Sequence, residues 1–509
     1  MTAGTVYLIG AGPGDPGLVT LKAVQCLNRA DVVVYDYLAN EAILEHAAKD
    51  AELIYAGKMG GCHAMPQDEI NNLLVEKALQ GKTVARLKGG DPFIFGRGGE
   101  EASHLFQNNV PFEVVPGVTS AVAAPAYAGI PLTDRRYTTS VSLITGHEDP
   151  TKEESSLDWK NIASNMGTLV FFMGVKNLPG IVENLVKNDR SEDTPVAIIQ
   201  QGSSPLQKTV TGTLKTIVDV AREAGIKPPS IILVGDVVRL RPELNWYETK
   251  PLFGRTIIVT RARQQASPFL ARLVELGANA VAFPAIETVP PESWEPLDRA
   301  IDVLTAYQWV IFTSVNGVNY FNERLQKKGL DARALSGIKV AAIGPATAER
   351  LLAMGIKADF VPSEYRAEAV IEGLKGTAGP GTRILLARAK EARDVLPEEL
   401  RKEGATVDIV PAYETVLPSH RVKKVEKMLA EGAVDIITFT SSSTVTNFAR
   451  MFPDRDVASL LKDVQVACIG PITAKTAQKM GLAVHIQPEH YTIDSLVDAI
   501  VSHVENMKR

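Results

Sequence analysis

Cysteine is scarce in this chain: Cys26, Cys62 and Cys468 are the three present, an odd number with no CxxC spacing among them. That excludes a disulfide framework and a zinc knuckle, so no metal site is expected and the three read as reduced cytosolic thiols. Long hydrophobic runs are missing as well. No stretch reaches the roughly 18 apolar residues of a membrane span, and the chain enters Val6-Tyr7-Leu8-Ile9-Gly10 without a basic leader, so a soluble, cytoplasmic protein with no membrane partner is expected. Nor is there an excess of positive charge. The 54 Lys and Arg against 59 Asp and Glu leave a net charge of −5, and the basic residues are scattered, which argues against a nucleic-acid partner. What is plentiful is apolar material, 45% of 509 residues, enough for more than one packed core.

Short β-branched runs (Val6 to Ile9, Asp31 to Tyr35, Thr168 to Phe172, Ile231 to Val234) alternate with longer amphipathic segments, which is the pattern of an α/β fold throughout. Periodicity breaks near Leu240 to Gly254, at Pro242, Trp246, Pro251 and Gly254, just ahead of a new apolar run from Thr256 to Thr260. The reading is a first domain over residues 1–246, a linker over 247–253 and a second domain over 254–509. Beyond the boundary the chain repeats itself. Gly254-Arg255-Thr256-Ile257-Ile258-Val259-Thr260-Arg261 is echoed by Thr382 to Arg388. Pro284-Ala285-Ile286-Glu287-Thr288-Val289 returns as Pro411-Ala412-Tyr413-Glu414-Thr415-Val416, and Phe312-Thr313-Ser314 as Phe439-Thr440-Ser441, both 127 residues later. Ile343-Gly344-Pro345-Ala346-Thr347-Ala348 returns as Ile469-Gly470-Pro471-Ile472-Thr473-Ala474 after 126. Matches in one order at a constant offset make a duplication, and two similar lobes with a cleft between them are expected.

In the first domain Gly10-Ala11-Gly12-Pro13-Gly14-Asp15-Pro16 follows one strand and precedes a helix-like stretch, so backbone can come close to a ligand there. The spacing is not the dinucleotide GxGxxG, and a purely structural turn reads equally well. A second cluster runs from Arg86-Leu87-Lys88-Gly89-Gly90-Asp91-Pro92-Phe93 through Glu101. Its paired glycines bring a loop near a flat ligand, and Asp91 offers acceptors to a ribose or an amino group. Pro116-Gly117-Val118-Thr119-Ser120, with Ala128 to Thr133, is a third. Together with Val34-Tyr35-Asp36, Gly57-Lys58 and His63, Thr145-Gly146-His147, Phe172-Met173-Gly174 and Val234-Gly235, these motifs resemble the cobalamin-pathway tetrapyrrole methyltransferases, most closely uroporphyrinogen-III C-methyltransferase. The resemblance covers about Thr5 to Trp246.

It implies two α/β lobes with S-adenosyl-L-methionine in their crevice, lined by Pro13, Gly89, Gly90, Asp91, Ile94, Thr119, Ser120, Met173 and Gly202. It implies Asp36 as proton acceptor and Lys58 as donor during C-methylation, with Arg97 and Glu100 as further aids to proton removal. The implied substrate is an octacarboxylate, which calls for fixed cations; Arg97, Arg135, Arg136 and His63 are the candidates, against a solvated surface role for each. A homodimer through this half is the expected assembly. Tyr37, Asp134 and Ser203 depart from the Arg, His and Thr common in the family, and they bear on contacts to the substrate arms.

From Gly254 to about Ser502 the chain is similar to uroporphyrinogen-III synthase, through the duplication, Phe439-Thr440-Ser441-Ser442, Ile469-Gly470-Pro471 with Thr473, and Pro411 to Thr415. Pro345 and Pro471 stand where helices begin, and free N–H groups there suit carboxylates. Ser314, Thr347, Ser441, Ser442 and Thr473 could add hydroxyls around acetate and propionate arms; ordinary capping is the alternative for each. The resemblance implies cofactor-free closure of hydroxymethylbilane with inversion of its last ring. Tyr413 stands opposite Ile286 in otherwise matching motifs, and the resemblance makes it the donor to the departing hydroxyl, with packing at the lobe junction as the alternative. The whole chain therefore reads as C-methylation of uroporphyrinogen III to precorrin-2, fused to the synthase of uroporphyrinogen III, with small tetrapyrroles as partners. Two other readings stand beside it: a second half that binds tetrapyrroles without catalysis, and a methyltransferase for another corrinoid or for RNA.

Overall fold

The computed structural model describes residues 3–57, 65–146, 157–164, 167–261, 263–362, 367–374, 376–392, 394–418 and 421–508. The chain forms two compact units. One holds the residues up to Thr256 together with Ala271–Ala280 and the chain from Val501 on; the other holds Ile257–Leu270 and Val281–Ile500. Both are α/β, as the alternation of β-branched runs and amphipathic segments predicts.

The first unit has two five-stranded sheets. One is built from β1 (Val6–Gly10), β2 (Val32–Tyr35), β3 (Glu52–Tyr55), β4 (Val84–Lys88) and β5 (Phe112–Val115), in the order β3-β2-β4-β1-β5 with every neighbouring pair parallel. Parallel strands need cover on both faces, and the apolar residues of β1, β2 and β4 divide accordingly. Val6, Leu8, Val32, Val34 and Val84 pack under α2 (Gln67–Leu79) and α3 (Gly98–Gln107), while Ile9, Val33, Ala85 and Leu87 pack on the side of α1 (Leu21–Leu27). The face of β4 turned to α2 and α3 then continues with Arg86 and Lys88 instead of apolar residues. The second sheet contains β6 (Val141–Thr145), β7 (Thr168–Phe172), β8 (Pro195–Gln200), β9 (Lys208–Thr213) and β10 (Ser230–Val234), in the order β6-β7-β10-β8-β9. Only β6 and β7 are parallel among these pairs. The helix α4 (Ser120–Tyr127) follows β5 but lays Ala121 and Ala124 on Val170, Phe172, Ala197 and Ile199 of the second sheet, so it ties the two together.

The stretch expected as a linker belongs to the fabric of this unit. Tyr247 and Leu252 are buried, the Tyr247 ring lies 4.7 Å from that of Tyr127, and the Glu248 carboxylate accepts from Gln207 Nε2 at 2.8 Å and Thr209 Oγ1 at 2.6 Å. Its composition explains this, since three of its residues are large and apolar or aromatic: Tyr247 meets Tyr127 of α4, Phe253 packs its ring 5.3 Å from that of Tyr247, and Leu252 is buried.

The second unit also has two sheets, made from β11 (Thr256–Val259), β12 (Asn279–Ala282), β13 (Glu287–Val289), β14 (Trp309–Phe312), β15 (Lys339–Ala342), β16 (Arg383–Ala389), β17 (Thr406–Val416), β18 (Ile436–Phe439) and β19 (Gln465–Cys468). The orders are β12-β11-β18-β19 and β13-β17-β16-β14-β15. Two similar lobes result, but neither is one copy of the repeat. β11 and β12 of the first copy join β18 and β19 of the second, with Ile257 opposite Ile436; β14 and β15 of the first copy join β16 and β17 of the second, with Trp309 opposite Ile384. The copies exchange halves at the Pro-Ala-x-Glu-Thr-Val motif. There β13 and the end of β17 pair antiparallel, Glu287 with Val416, Thr288 with Thr415 and Val289 with Glu414. Thr288 and Thr415 are equivalent residues of the two copies, so a local twofold axis runs between them.

Cys26 and Cys468 are buried free thiols, and burial pushes the Cys468 thiol up to about 12. Among the described residues no helix is long and apolar enough to cross a membrane, and no group of three or more His, Cys, Asp or Glu is placed to hold a metal ion.

Candidate functional site

In the first unit the loops at the carboxyl ends of β1, β4 and β5 converge, as expected for the ligand-binding edge of an open α/β sheet. Gly12 and Gly90 bond to each other through both backbone groups, at 3.2 and 2.7 Å. A Cβ on Gly117 would lie 2.3 Å from the Gly90 carbonyl oxygen and 2.7 Å from Gly10 Cα, so the three loops can approach only because side chains are missing there. Asp91 locks the arrangement: Oδ1 accepts from Phe93 N at 2.8 Å and Ile94 N at 3.2 Å, and Oδ2 from Gly117 N at 3.0 Å. Both oxygens expected to face a ligand already serve the loops, and their remaining lone pairs are what a ligand could use.

The other predicted cofactor residues cluster round this cradle. Thr119 caps α4, and Gly90 stands against Thr119 and Ser120. Gly202, beyond β8, sits so close to α4 that a Cβ would lie 2.3 Å from Ala124 Cβ, and its carbonyl oxygen lies 3.0 Å from the Cβ position of Gly14, beside Pro13. Ile94 packs on the face of the second sheet that α4 covers, and Phe95 puts its ring 4.9 Å from that of Phe172. Met173 follows Phe172 with a φ of 55° and its side chain 52% exposed, so it is left-handed and presented to solvent rather than packed away. Tyr127 Oη donates to Asp15 Oδ2 at 2.6 Å, which ties α4 to the Gly10–Pro16 turn; nothing in the motif reading pointed to that contact.

Asp36 follows directly on β2. Its Oδ1 accepts from Leu38 N at 3.0 Å and its Oδ2 from Arg86 Nη2 at 3.3 Å, with 23% of the side chain exposed. Behind it lies a buried ion cluster. Glu101 of α3, fully buried, receives Arg86 Nε at 3.1 Å, Lys88 Nζ at 2.7 Å and Gln67 Nε2 at 3.2 Å, all on Oε1. Burial, with repulsion from Arg86, holds the Lys88 ammonium below the usual lysine range, against the pull of Glu101. The sequence reading passed over Arg86, Lys88 and Glu101. The available signal was two charges at alternate positions of a strand that a parallel sheet buries, followed by a carboxylate one turn into the next helix.

Of the remaining predicted residues in this half, Arg97 and Glu100 pair with each other at 2.7 Å, each 55% exposed, and that bond draws the Glu100 carboxyl below its usual range. Arg136 is claimed by Asp134 at 2.9 Å, while Arg135 is exposed. Asp134 therefore offsets one of the four cations proposed for substrate arms. Lys58 and His63 lie outside the described residues.

In the second unit the predicted residues sit at helix N-termini that follow strand ends. Ser314 caps Val315–Lys327, accepts from Gly317 N at 3.0 Å, and lies 3.0 Å from Tyr413 Oη. Tyr413, on β17, is 8% exposed, and its ring stacks on Tyr320 at 5.9 Å. Ser441, the repeat equivalent of Ser314, caps Ser442–Arg450 in a reciprocal box with Thr444, and its hydroxyl lies 2.9 Å from Ser443 Oγ. Ser442 is bonded by Thr476 Oγ1 at 2.9 Å, which joins its helix to Pro471–Lys479. Thr347 and Thr473 are each 5% exposed, so their hydroxyls lie within helix packing. The structure thus brings Ser314 to Tyr413, and Ser442 to the helix of Thr473, in separate lobes.

Comparison with known proteins follows the same division. Residues 5–218 match the family described as tetrapyrrole (corrin/porphyrin) methylases, and residues 267–498 match the family described as uroporphyrinogen-III synthase HemD. Over 501 residues the chain is 40% identical to the porphyrin biosynthesis protein HemD of Ruminiclostridium josui, covering 98% of both chains. It is 43% identical to the uroporphyrinogen-III C-methyltransferase of Bacillus subtilis (strain 168), over 69% of this chain and 71% of that protein. It is 54% identical to the S-adenosyl-L-methionine-dependent uroporphyrinogen III methyltransferase of Methanosarcina barkeri, over 48% of this chain and 96% of that protein.

Proposed function

The chain belongs to the family in which a uroporphyrinogen-III C-methyltransferase is fused to a uroporphyrinogen-III synthase, and from that premise we propose how its residues divide the work. The cradle formed by Gly89, Gly90, Asp91, Thr119 and Ser120, with Pro13, Ile94, Met173 and Gly202 around it, takes S-adenosyl-L-methionine. The fit is supported by the glycine-lined approach of three loops and by the exposed Met173 beside them. When bound, the cofactor supplies an already electrophilic methyl group, so the main task of the protein is alignment. Asp36 stands at a neighbouring strand end with one donor on each oxygen, which fixes its direction and leaves lone pairs to take the proton released when a pyrrole carbon is methylated. The substrate is uroporphyrinogen III and the product precorrin-2; Arg97, Arg135 and Arg136 receive its carboxylate arms.

In the second unit hydroxymethylbilane is closed without a cofactor. Tyr413, paired with Ser314, donates to the departing hydroxyl, and the hydroxyls and free N–H groups at the helix starts near Ser441 and Ser442 hold the arms. The reading takes small tetrapyrroles as the partners, with a second copy of the methyltransferase half, and the cytoplasm as the place of action; a net charge of −5 provides no field for nucleic acid.

The observation that carries the methyltransferase reading is the meeting of the glycine cradle with an oriented Asp36. Asp36→Asn is expected to lower turnover by about 10²-fold or more while S-adenosyl-L-methionine still binds, as read by calorimetry beside steady-state methyl transfer. Undiminished turnover at saturation would overturn the assignment of Asp36.

A further inference from the structure

The buried ions behind Asp36 are arranged in a way that stability does not explain. Glu101 is completely buried, yet three donors crowd onto Oε1 while Oε2 has no hydrogen-bond partner among the described residues. A half-satisfied ionic network in a protein interior is no more stable than well-packed apolar residues of the same volume, and a buried unpaired carboxylate oxygen is a cost. What the arrangement delivers is a guanidinium with almost no freedom. Arg86 is 3% exposed; Nε is held by Glu101, and Nη1 faces the carbonyl oxygens of Leu87 at 3.3 Å and Val34 at 3.5 Å. Among the described residues the one side-chain acceptor it reaches outside the cluster is Asp36, met by Nη2 at 3.3 Å. Lys88 completes the cluster and leaves it with two cations against the single carboxylate of Glu101, so a positive field faces Asp36 from inside the sheet.

We propose that Arg86, clamped by Glu101, is the positioning residue for Asp36: it holds the carboxylate in one direction, ready to accept the proton that leaves the methylated pyrrole. This rests on the reading of Asp36 as the base. Arg86 touches neither substrate nor cofactor in this role. Among the described residues the charged and titratable groups facing Asp36 are Arg86 from β4 and, through the shared cluster, Lys88 and Glu101, with the Tyr37 phenol beside it in the chain; its hydrogen-bond partner on its own loop is the Leu38 N–H.

The test uses the full-length protein. Arg86→Met leaves Lys88 and Glu101 as a balanced pair. It is expected to lower kcat for methyl transfer about tenfold or more with KM for S-adenosyl-L-methionine unchanged, and Arg86→Lys, which restores a cation without the fork, should recover part of that kcat. In an Asp36→Asn background the same substitution should cost nothing further, because both act through one group. Glu101→Gln, which keeps an acceptor at Oε1, should lower kcat in the same way by less, again with KM unchanged, and serves if Arg86→Met does not fold. An Asp36→Asn enzyme of wild-type turnover would overturn the base assignment. An impaired Asp36→Asn enzyme on which Arg86→Met adds its full loss, or an unchanged kcat in Arg86→Met or in Glu101→Gln, would overturn the positioning role alone.

Discussion

The strand ends of the two units are furnished with different chemistry. In the first, two cations and a carboxylate are buried together behind Asp36; in the second, the predicted site residues are neutral hydroxyls, with Tyr413 on Ser314, Ser441 on Ser443 and Thr476 on Ser442, and the buried cation at the end of β16, Arg388, pairs with the exposed Asp394. Ions are expensive to bury and are kept where a charge must be aimed, while hydroxyls are cheap to bury and can donate or accept. The difference matches one reaction that removes a proton from carbon and another that assists a hydroxyl to leave.

Breaking the ionic side should give the largest effect. Glu101→Ala strands Arg86 and Lys88 without their counter-charge and is expected to destabilise the first unit by about 3–5 kcal/mol, read as a drop in its transition by calorimetry with the second unit as internal reference. A loss of a few tenths would mean that the cluster is hydrated and the contrast false. On the hydroxyl side, Tyr413→Phe keeps the ring on Tyr320 and removes only the donor, so the synthase should slow by about 10²-fold while its melting is preserved. The isomer ratio then shifts toward the uninverted type I product. Ile286→Val, at the equivalent place in the other copy, is the matched control and should leave rate and ratio alone.

A smaller effect is expected where a buried hydroxyl only serves the fold. Thr438 Oγ1 donates to the Ile258 carbonyl at 3.1 Å, and Thr260 Oγ1 to the Thr438 carbonyl at 2.7 Å. Thr438→Val should cost about 1–1.5 kcal/mol in urea unfolding of the second unit, with isomer ratio unchanged. The smallest difference lies in pH. Because Lys88 is held below the ordinary lysine range, the unfolded chain binds more protons just below pH ~10.4, and the stability of the first unit should rise with pH there. Lys88→Met should remove that rise, as followed by melting between pH 8 and 10.

The strands and the loop motifs were legible because parallel strands announce themselves as β-branched runs and tight loops as paired glycines. The cluster of Arg86, Lys88 and Glu101 was not, because a charged residue inside a motif invites a reading toward the ligand, and only the register of β4 shows that these side chains turn inward under α3. Residues 247–253 carry two prolyl and glycyl neighbours that look like a break, yet Tyr247 and Leu252 are anchored by partners more than a hundred residues upstream or outside the local pattern. For Tyr413 the duplication singled out the position, and only packing reveals that its hydroxyl meets Ser314. The repeat itself reports that two copies exist; which strand pairs with which copy is decided by tertiary packing, to which an offset is blind.

The exchange of halves between the copies also sets a timetable. Thr260 and Thr438, whose groups bond across β11 and β18, are 178 residues apart, so at roughly 5–20 residues per second the ribosome needs on the order of 10–35 s to deliver the partner of a strand already made. Through that interval β11, whose four residues are all buried in the finished fold and three of them apolar, has an open edge, the kind of segment that pairs wrongly or recruits a chaperone. The parallel sheet of the first unit closes within its own first 115 residues and has no such wait. Synthesis of this protein is therefore slow to commit in one half and prompt in the other, and crowding or heat during translation should be felt first in the half whose copies are interleaved.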